Sequence, residues 1–308
     1  MDEELVNEKE EMEENYIVNL PLGEALSIED TYSITSKERT KLIVLAGPSE
    51  CGKTTLITTV YQLFHRGPIE ELFFAQSQTI KGFEQRSYHT RANSGMDNPN
   101  TQRTRIGILD SFLHLKLWNS KNQETHNFLL TDFSGEDFNN ARANVEVMKE
   151  DFSLIGRADF LIILIDGDSI TKKDERFSAI QITQELLTTI INADLLKSNT
   201  KIYFVISKND IVKRRCDEDP LLNNFVKGIP DKLKSKFSYI KNEINFYNVA
   251  AMPKDTDIVP IGYGINELIK KWTQEVVISS NTSYVDQKDL KSEFNKFSKK
   301  VLEGGNYE

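Results

Sequence analysis

Residues 41–55, KLIVLAGPSECGKTT, leave this chain few ways to fold. Leu42 to Ala46 is a short apolar run of the kind that forms a buried strand. Leu56, Ile57, Val60, Leu63 and Phe64 follow at helical spacing. Between them, Gly47 to Thr54 satisfies G-x-x-x-x-G-K-[ST]. Gly47 and Gly52 allow backbone conformations that turn several N–H groups of the loop Pro48-Ser49-Glu50-Cys51 and its neighbours toward one anion, Pro48 itself having no N–H to offer. The helix that follows adds its positive end. Lys53 is placed to reach the outer phosphates, and the Thr54 hydroxyl, with Thr55 beside it, is placed to ligate Mg²⁺. The stretch predicts a nucleotide site. Cys51 is read as a small residue that fits the loop, with a redox-sensing thiol as the alternative.

Charge separates the N-terminus from the rest. Of the net −9, residues 1–40 carry 12 acidic and 3 basic side chains, and the remainder holds 35 of each. No global basic field points to nucleic acid. Residues 1–40 are expected to form an acidic, partly disordered arm, with docking to a basic partner as the alternative. Two cysteines, Cys51 and Cys216, make no disulfide framework and suit a reducing cytoplasm. No run reaches the length of a membrane span, and the first residues are unlike a signal peptide.

Beyond the loop, strand-like and helix-like segments alternate. Strands are expected at 111–118, 127–131, 158–166, 201–206 and 246–251, with NSKNQET joining the first two as a hairpin. Helices are expected at 138–152, 177–196, 220–241 with a break at Gly228-Ile229-Pro230, and 264–277. Residues 69–100 show weak periodicity, although Phe73, Phe74 and Phe83 suggest that part of them packs. The pattern predicts a doubly wound, mostly parallel α/β sheet with helices on both faces and one antiparallel edge strand. The expected domain spans 41–276, with a long insert at about 67–110. A tail at 277–308 carries an amphipathic helix through Leu290, Phe294, Phe297 and Val301, packed on the domain or offered to a partner or membrane surface.

Ligands of such sheets sit outside the carboxyl ends of the strands, and three further motifs fall there. Asp132-Phe-Ser-Gly135 follows FLLT; Asp132 suits the Mg²⁺ shell, and Gly135 lets a backbone N–H approach a γ-phosphate. Ser207-Lys208-Asn209-Asp210 follows KIYFVI. The Asp210 carboxylate can accept two hydrogen bonds from the N1–H and amine of guanine, an edge adenine lacks, while the Lys208 stem lies over the base. K-x-D also occurs at Lys149–Asp151 and Lys172–Asp174, but only the 208–210 copy ends a buried strand. Val249-Ala250-Ala251-Met252 follows the last strand, and the small side chains of Ala250 and Ala251 let backbone N–H groups reach the guanine carbonyl. Asp166, ending LIILID, is the competing Mg²⁺ carboxylate; otherwise it forms a turn.

With GPSECGKT, DFSG, SKND and VAAM in this order, the chain resembles the P-loop GTPase superfamily of the translation-factor and Ras-like class, over residues 41 to about 275. FFAQSQTIKGFEQRSYHTR (73–91) looks more specifically like the bacterial double-GTPase families of conflict and defence systems. The resemblance implies a cytoplasmic switch that binds GTP/GDP with Mg²⁺ and hydrolyses GTP. It implies a switch threonine on Mg²⁺ and the γ-phosphate, Thr104 or else Thr101, with Arg103 or Arg105 as a built-in arginine finger. Two positions depart from the pattern. Ser207 stands where the family usually has Asn or Thr. Glu136 stands where many members carry the Gln that orients the attacking water. Slow intrinsic hydrolysis is therefore expected, stimulated by a protein partner or by self-association. The alternatives are a P-loop ATPase or kinase using Asp166, or a nucleotide-binding scaffold with negligible turnover.

Overall fold

The apolar run at 160–165 shows how the chain is layered. All six residues of this strand are buried, and they alternate between two cores. Phe160, Ile162 and Leu164 face one; Leu161, Ile163 and Ile165 face the other. A strand buried on both faces needs helices on both faces. The computed structural model describes residues 23–88, 111–131 and 133–274. Its strands are β1 (Thr40–Ala46), β2 (Leu72–Gln76), β3 (Phe112–Asn119), β4 (Glu124–Thr131), β5 (Phe160–Ile165), β6 (Lys201–Ile206) and β7 (Ile244–Asn248).

These form one seven-stranded sheet in the order β2-β3-β4-β1-β5-β6-β7. The pairs β4–β1, β1–β5, β5–β6 and β6–β7 are parallel. Both neighbours of β3 are antiparallel to it, so among the seven strands β3 alone runs against the rest. It is the strand expected from the 111–131 hairpin. A feature the periodicity did not announce is β2, drawn from the insert and lying outside β3 with a register shift between Phe74 and Gln76. Only Leu72 of β2 is buried, so alternation is lost and the strand signal with it.

On one face, helix α2 (Lys53–Arg66), α3 (Ile80–Ser87) and α10 (Ile265–Thr273) pack Leu56, Val60, Phe83, Leu268 and Trp272 into the sheet. On the other lie α4 (Gly135–Ala141), α5 (Val145–Asp151), α6 (Gly167–Thr171), α7 (Arg176–Asn192), α8 (Asn209–Glu218) and α9 (Pro220–Lys236). The stretch expected as one helix over 138–152 is two, because Asn144 caps α5 by accepting the Glu146 and Val147 N–H groups. The expected break at 228–230 is absent: α9 runs through Pro230. A proline there costs about 3 kcal/mol of helix stability. Leu222, Ile229 and Leu233, all buried in the core on this face of the sheet, hold the helix together across it.

Part of the N-terminal approach is also structured. Helix α1 (Ile28–Thr35) begins with a Ser27–Asp30 capping box, and Leu26 and Ile34 pack on Phe112 and Leu129. Gly82 of α3 sits against this segment so closely that an added Cβ would lie 1.6 Å from the Glu24 carbonyl oxygen. Lys41 is buried, and its Nζ donates to Trp272 O at 2.7 Å and Gln274 O at 2.6 Å, satisfying carbonyls at the end of α10.

The insert is tied down by a buried histidine. Gln78 N–H donates to His114 Nδ1 at 3.0 Å, so the ring proton sits on Nε2, 3.2 Å from Asn127 Oδ1. Asn127 in turn donates to Glu38, which pairs with Lys116 at 2.6 Å. Burial pushes the pKa of His114 down, and burial does the same to His126. The unfolded chain therefore takes up protons first. Stability is fully present above the ordinary histidine value of about 6.5 and is lost as pH falls below it. Denaturant titrations at successively lower pH should show this loss, and a His114→Asn variant should show a shallower one. Parallel pH profiles for the two proteins would refute the assignment.

Candidate functional site

Five adjacent parallel strands bring the candidate residues to one edge. The turns after β4, β1, β5, β6 and β7 lie at the carboxyl end of the sheet in that spatial order. After β1 the chain turns at Gly47 (φ 150°), passes Pro48 and Ser49, takes a left-handed conformation at Glu50 (φ 62°) and enters α2 through Gly52 (φ 94°). Lys53, only 6% exposed, reaches back across the loop, and its Nζ donates to Gly47 O at 2.8 Å and Pro48 O at 2.9 Å. The loop is closed around its own lysine.

Helix α2 has no acidic residue in its first turn and no side-chain cap at Gly52, whereas its last turn carries His65 and Arg66. Its positive end thus meets no acidic side chain of its own first turn, where Thr54 and Thr55 stand. Cys51 is fully buried. Burial pushes its thiol up, outweighing the nearby Lys53 ammonium, so it stays protonated and unreactive at neutral pH.

The motif after β4 touches the phosphate loop directly. Ser134 caps α4 by accepting the Glu136 N–H, and Gly135 opens the helix. A Cβ at Gly135 would lie 2.4 Å from Ser49 N and 2.5 Å from Ser49 Cα, so only glycine permits this approach. Glu136 is half-buried at the second position of α4. Asp132, Thr101, Arg103, Thr104 and Arg105 lie outside the described residues.

After β6 the backbone passes through Lys208 in a left-handed conformation (φ 51°) into α8. Ser207 is buried, with its N–H and hydroxyl both donating to Ile165 O. Lys208 Nζ pairs with Asp166 Oδ1 at 2.8 Å. Asp166 also caps α6, accepting the Asp168 N–H and the Ser169 hydroxyl. Asp210 is 4% exposed, and its Oδ2 accepts the Lys254 N–H at 2.9 Å. A carboxylate offers about four acceptor sites, so capacity remains on Asp210. The Ala250 N–H donates to Tyr263 O at 3.0 Å, and Gly262 N–H bonds the Ala250 and Ala251 carbonyls. Of the two alanines, Ala251 keeps its N–H unpaired among the described residues.

Three contributors were not read from the sequence. Gly167 lets β5 close on the base motif, since a Cβ there would lie 2.0 Å from Ser207 O; its position right after an apolar strand was the available signal. The Lys254 N–H and the Tyr263 carbonyl act through the backbone, which leaves no side-chain signature.

Among the described residues no three His, Cys, Asp or Glu side chains cluster as a metal cage. A Mg²⁺ held by a hydroxyl and phosphate oxygens would need no such cage, since hard oxygen donors and water complete its shell. No described helix is long and apolar enough to cross a membrane.

Residues 41–273 match the family model Double-GTPase 2. The chain belongs to that family. This Double-GTPase 2 chain has no match among curated proteins. Solved structures similar to it include the signal recognition particle receptor SRb-GTP/SRX complex from Chaetomium thermophilum, at 17% identity and TM-score 0.39, covering 75% of this chain and 95% of that one. A bacterial selenocysteine-specific elongation factor, EF-Sec, aligns at 15% identity and TM-score 0.37, covering 75% of this chain and 28% of that one. Elongation factor SelB from Methanococcus maripaludis, in complex with the GTP analogue GPPNHP, aligns at 16% identity and TM-score 0.36, covering 77% and 35%.

The contact between Gly135 and Ser49 gives a direct test of the site's geometry in this Double-GTPase 2 protein. Gly135→Ala should lower unfolding free energy by about 1–3 kcal/mol, the usual cost of overpacking. Gly156→Ala, whose Cβ would meet nothing closer than 3.8 Å, is the control. Equal midpoints for the two variants in urea would contradict the close approach.

Proposed function

We propose that this protein binds GTP with Mg²⁺ and hydrolyses it to GDP and phosphate, acting as a nucleotide-dependent switch with residues 41–276 as its GTPase domain. The observation that carries the reading is the pairing of a phosphate loop closed on Lys53 with a buried, incompletely used carboxylate at Asp210. They follow β1 and β6, two strands apart in one sheet, or roughly 10 Å. That is the order of the distance from the phosphates of a nucleotide to its base.

In this reading the N–H groups of the loop and the first turn of α2 receive the phosphates, and Lys53 offsets their charge. Asp210 accepts from the guanine N1–H and amine, while the Ala251 N–H donates to the guanine carbonyl. Lys208, positioned by Asp166, covers the base. Mg²⁺ neutralises phosphate charge when bound, with Thr54, Asp132 and Thr104 as its protein ligands. The commitment of Asp166 to Lys208 and to the cap of α6 weighs against the ATPase or kinase reading, which needs that carboxylate for metal.

Glu136 is the proposed water-facing residue, with Gly135 presenting its N–H to the γ-phosphate. A carboxylate near so much negative charge orients water poorly, so intrinsic hydrolysis is slow. A protein partner or a second copy then sets the rate, with GTP-dependent ordering of the segments around Thr104 and Gly135 as the switch. The setting we propose is the bacterial cytoplasm, in a conflict or defence system.

Calorimetry should show GTP bound in preference to ATP, with Lys53→Ala weakening GTP by tenfold or more through loss of charge-assisted hydrogen bonds. Asp210→Asn should move preference toward xanthine nucleotides, because an amide can donate to the extra carbonyl; unchanged preference would refute the base assignment. In single-turnover assays, Glu136→Gln should hydrolyse GTP faster than the parent, and a fast parent would contradict the proposed role of Glu136.

A further inference from the structure

A second concentration of charge lies beside the base motif. A cleft of about 450 Å³ is lined by residues of α6, α7 and α8, by Lys172 and Lys173 between the first two, by Asp219 and Leu222 at the start of α9, and by Lys254. Its carboxylates are already engaged. Asp168 pairs with Lys172 at 3.0 Å and Glu218 with Arg215 at 3.3 Å. Asp219 accepts the Leu221 and Leu222 N–H groups as the cap of α9. Lys173, Arg176, Arg214 and Lys254 line the same cleft, and among the described residues none of these four has a carboxylate partner.

Arg176 decides what the cleft is for. It is the first residue of α7 and only 9% exposed. One guanidinium nitrogen, Nη2, donates to Thr171 O at 3.3 Å, and the group lies 5.5 Å from the centre of the Phe225 ring. Its Nε–H, fully enclosed, has no acceptor. A guanidinium does not shed its proton to escape burial. The fold therefore holds a permanent cation balanced by one carbonyl and one ring face. An anion in the cleft would supply the missing counter-charge, and the planar guanidinium fork favours bidentate oxyanions.

Four cations with no carboxylate partner among the described residues exceed what a single carboxylate requires, and the volume admits a small molecule. We propose that this cleft binds a soluble small molecule carrying two or more phosphate groups, at a site separate from the phosphate loop. Arg176 grips a phosphate from within, and Lys173, Arg214 and Lys254, all exposed, close on the others from the rim. None of these side chains has a part in the GTP site proposed above, so the two readings stand or fall apart.

The test is calorimetric titration of the full-length Lys53→Ala variant with inorganic tripolyphosphate, without nucleotide or Mg²⁺, at about 150 mM salt to screen loosely placed charges. Binding should persist in Lys53→Ala and fall tenfold or more when Arg176→Gln is added. The exposed pair Arg214→Gln and Lys254→Gln should weaken it comparably, which keeps the test informative if Arg176→Gln impairs folding. No binding to Lys53→Ala, or binding unmoved by both sets of substitutions, would overturn the site. A hexaglutamate peptide binding as tightly as tripolyphosphate would overturn the assignment to phosphates. Failure of the parent protein to bind GTP would refute the GTPase reading and leave this one standing.

Discussion

The two hydrogen bonds from Lys53 Nζ to the Gly47 and Pro48 carbonyls are the constraint on which the rest of the site depends. They bend the start of the loop over the first residue of α2, with Cys51 filling the space beneath Gly47. The loop's shape is thus held from within the chain, by groups of its own backbone and Lys53. Gly135 can meet Ser49 only because that loop is held in place, and this contact carries the shape on to α4.

The base side is organised by a different device. Gly167 admits the Ser207 carbonyl, Asp166 holds Lys208, and the Lys254 N–H orients Asp210. These contacts join segments far apart in sequence, and each spends a backbone or carboxylate group that would be costly to bury unpaired. On the opposite flank, the chain from His114 through Asn127 and Glu38 to Lys116 performs the same service for the insert. Apolar burial packs the helices on the sheet, and these polar pairs fix the segments at its edges.

Much of this was legible in the residues. The strands β1, β5 and β6 are continuous apolar runs because helices cover both their faces, and such runs are hard to miss. Their ends carry the glycine loop, Asp166 and Ser207–Asp210, so the motifs could be placed on the fold as they were found. Edge elements were less legible. With Phe73 and Phe74 more than a third exposed, β2 has no buried stripe to reveal it. At Pro230 the local rule was overridden by Leu222, Ile229 and Leu233, whose burial outweighs the broken helix bond.

The sequence by itself determined that a strand, a phosphate loop and a helix come in succession, and that two acidic or amide-rich motifs end later strands. Those are consequences of local chemistry: glycine freedom, apolar period and the reach of a lysine. Only the tertiary structure decided that Gly135 rests on Ser49, that one Asp210 oxygen receives a backbone N–H from Lys254, and that Arg176 is buried with an unpaired N–H. The first two contacts link positions distant along the chain, each to a partner (Ser49, Lys254) that takes part through backbone atoms every residue carries. The third depends on what failed to come near. Neither leaves a pattern in side-chain identity, and so neither could be read before the chain was folded.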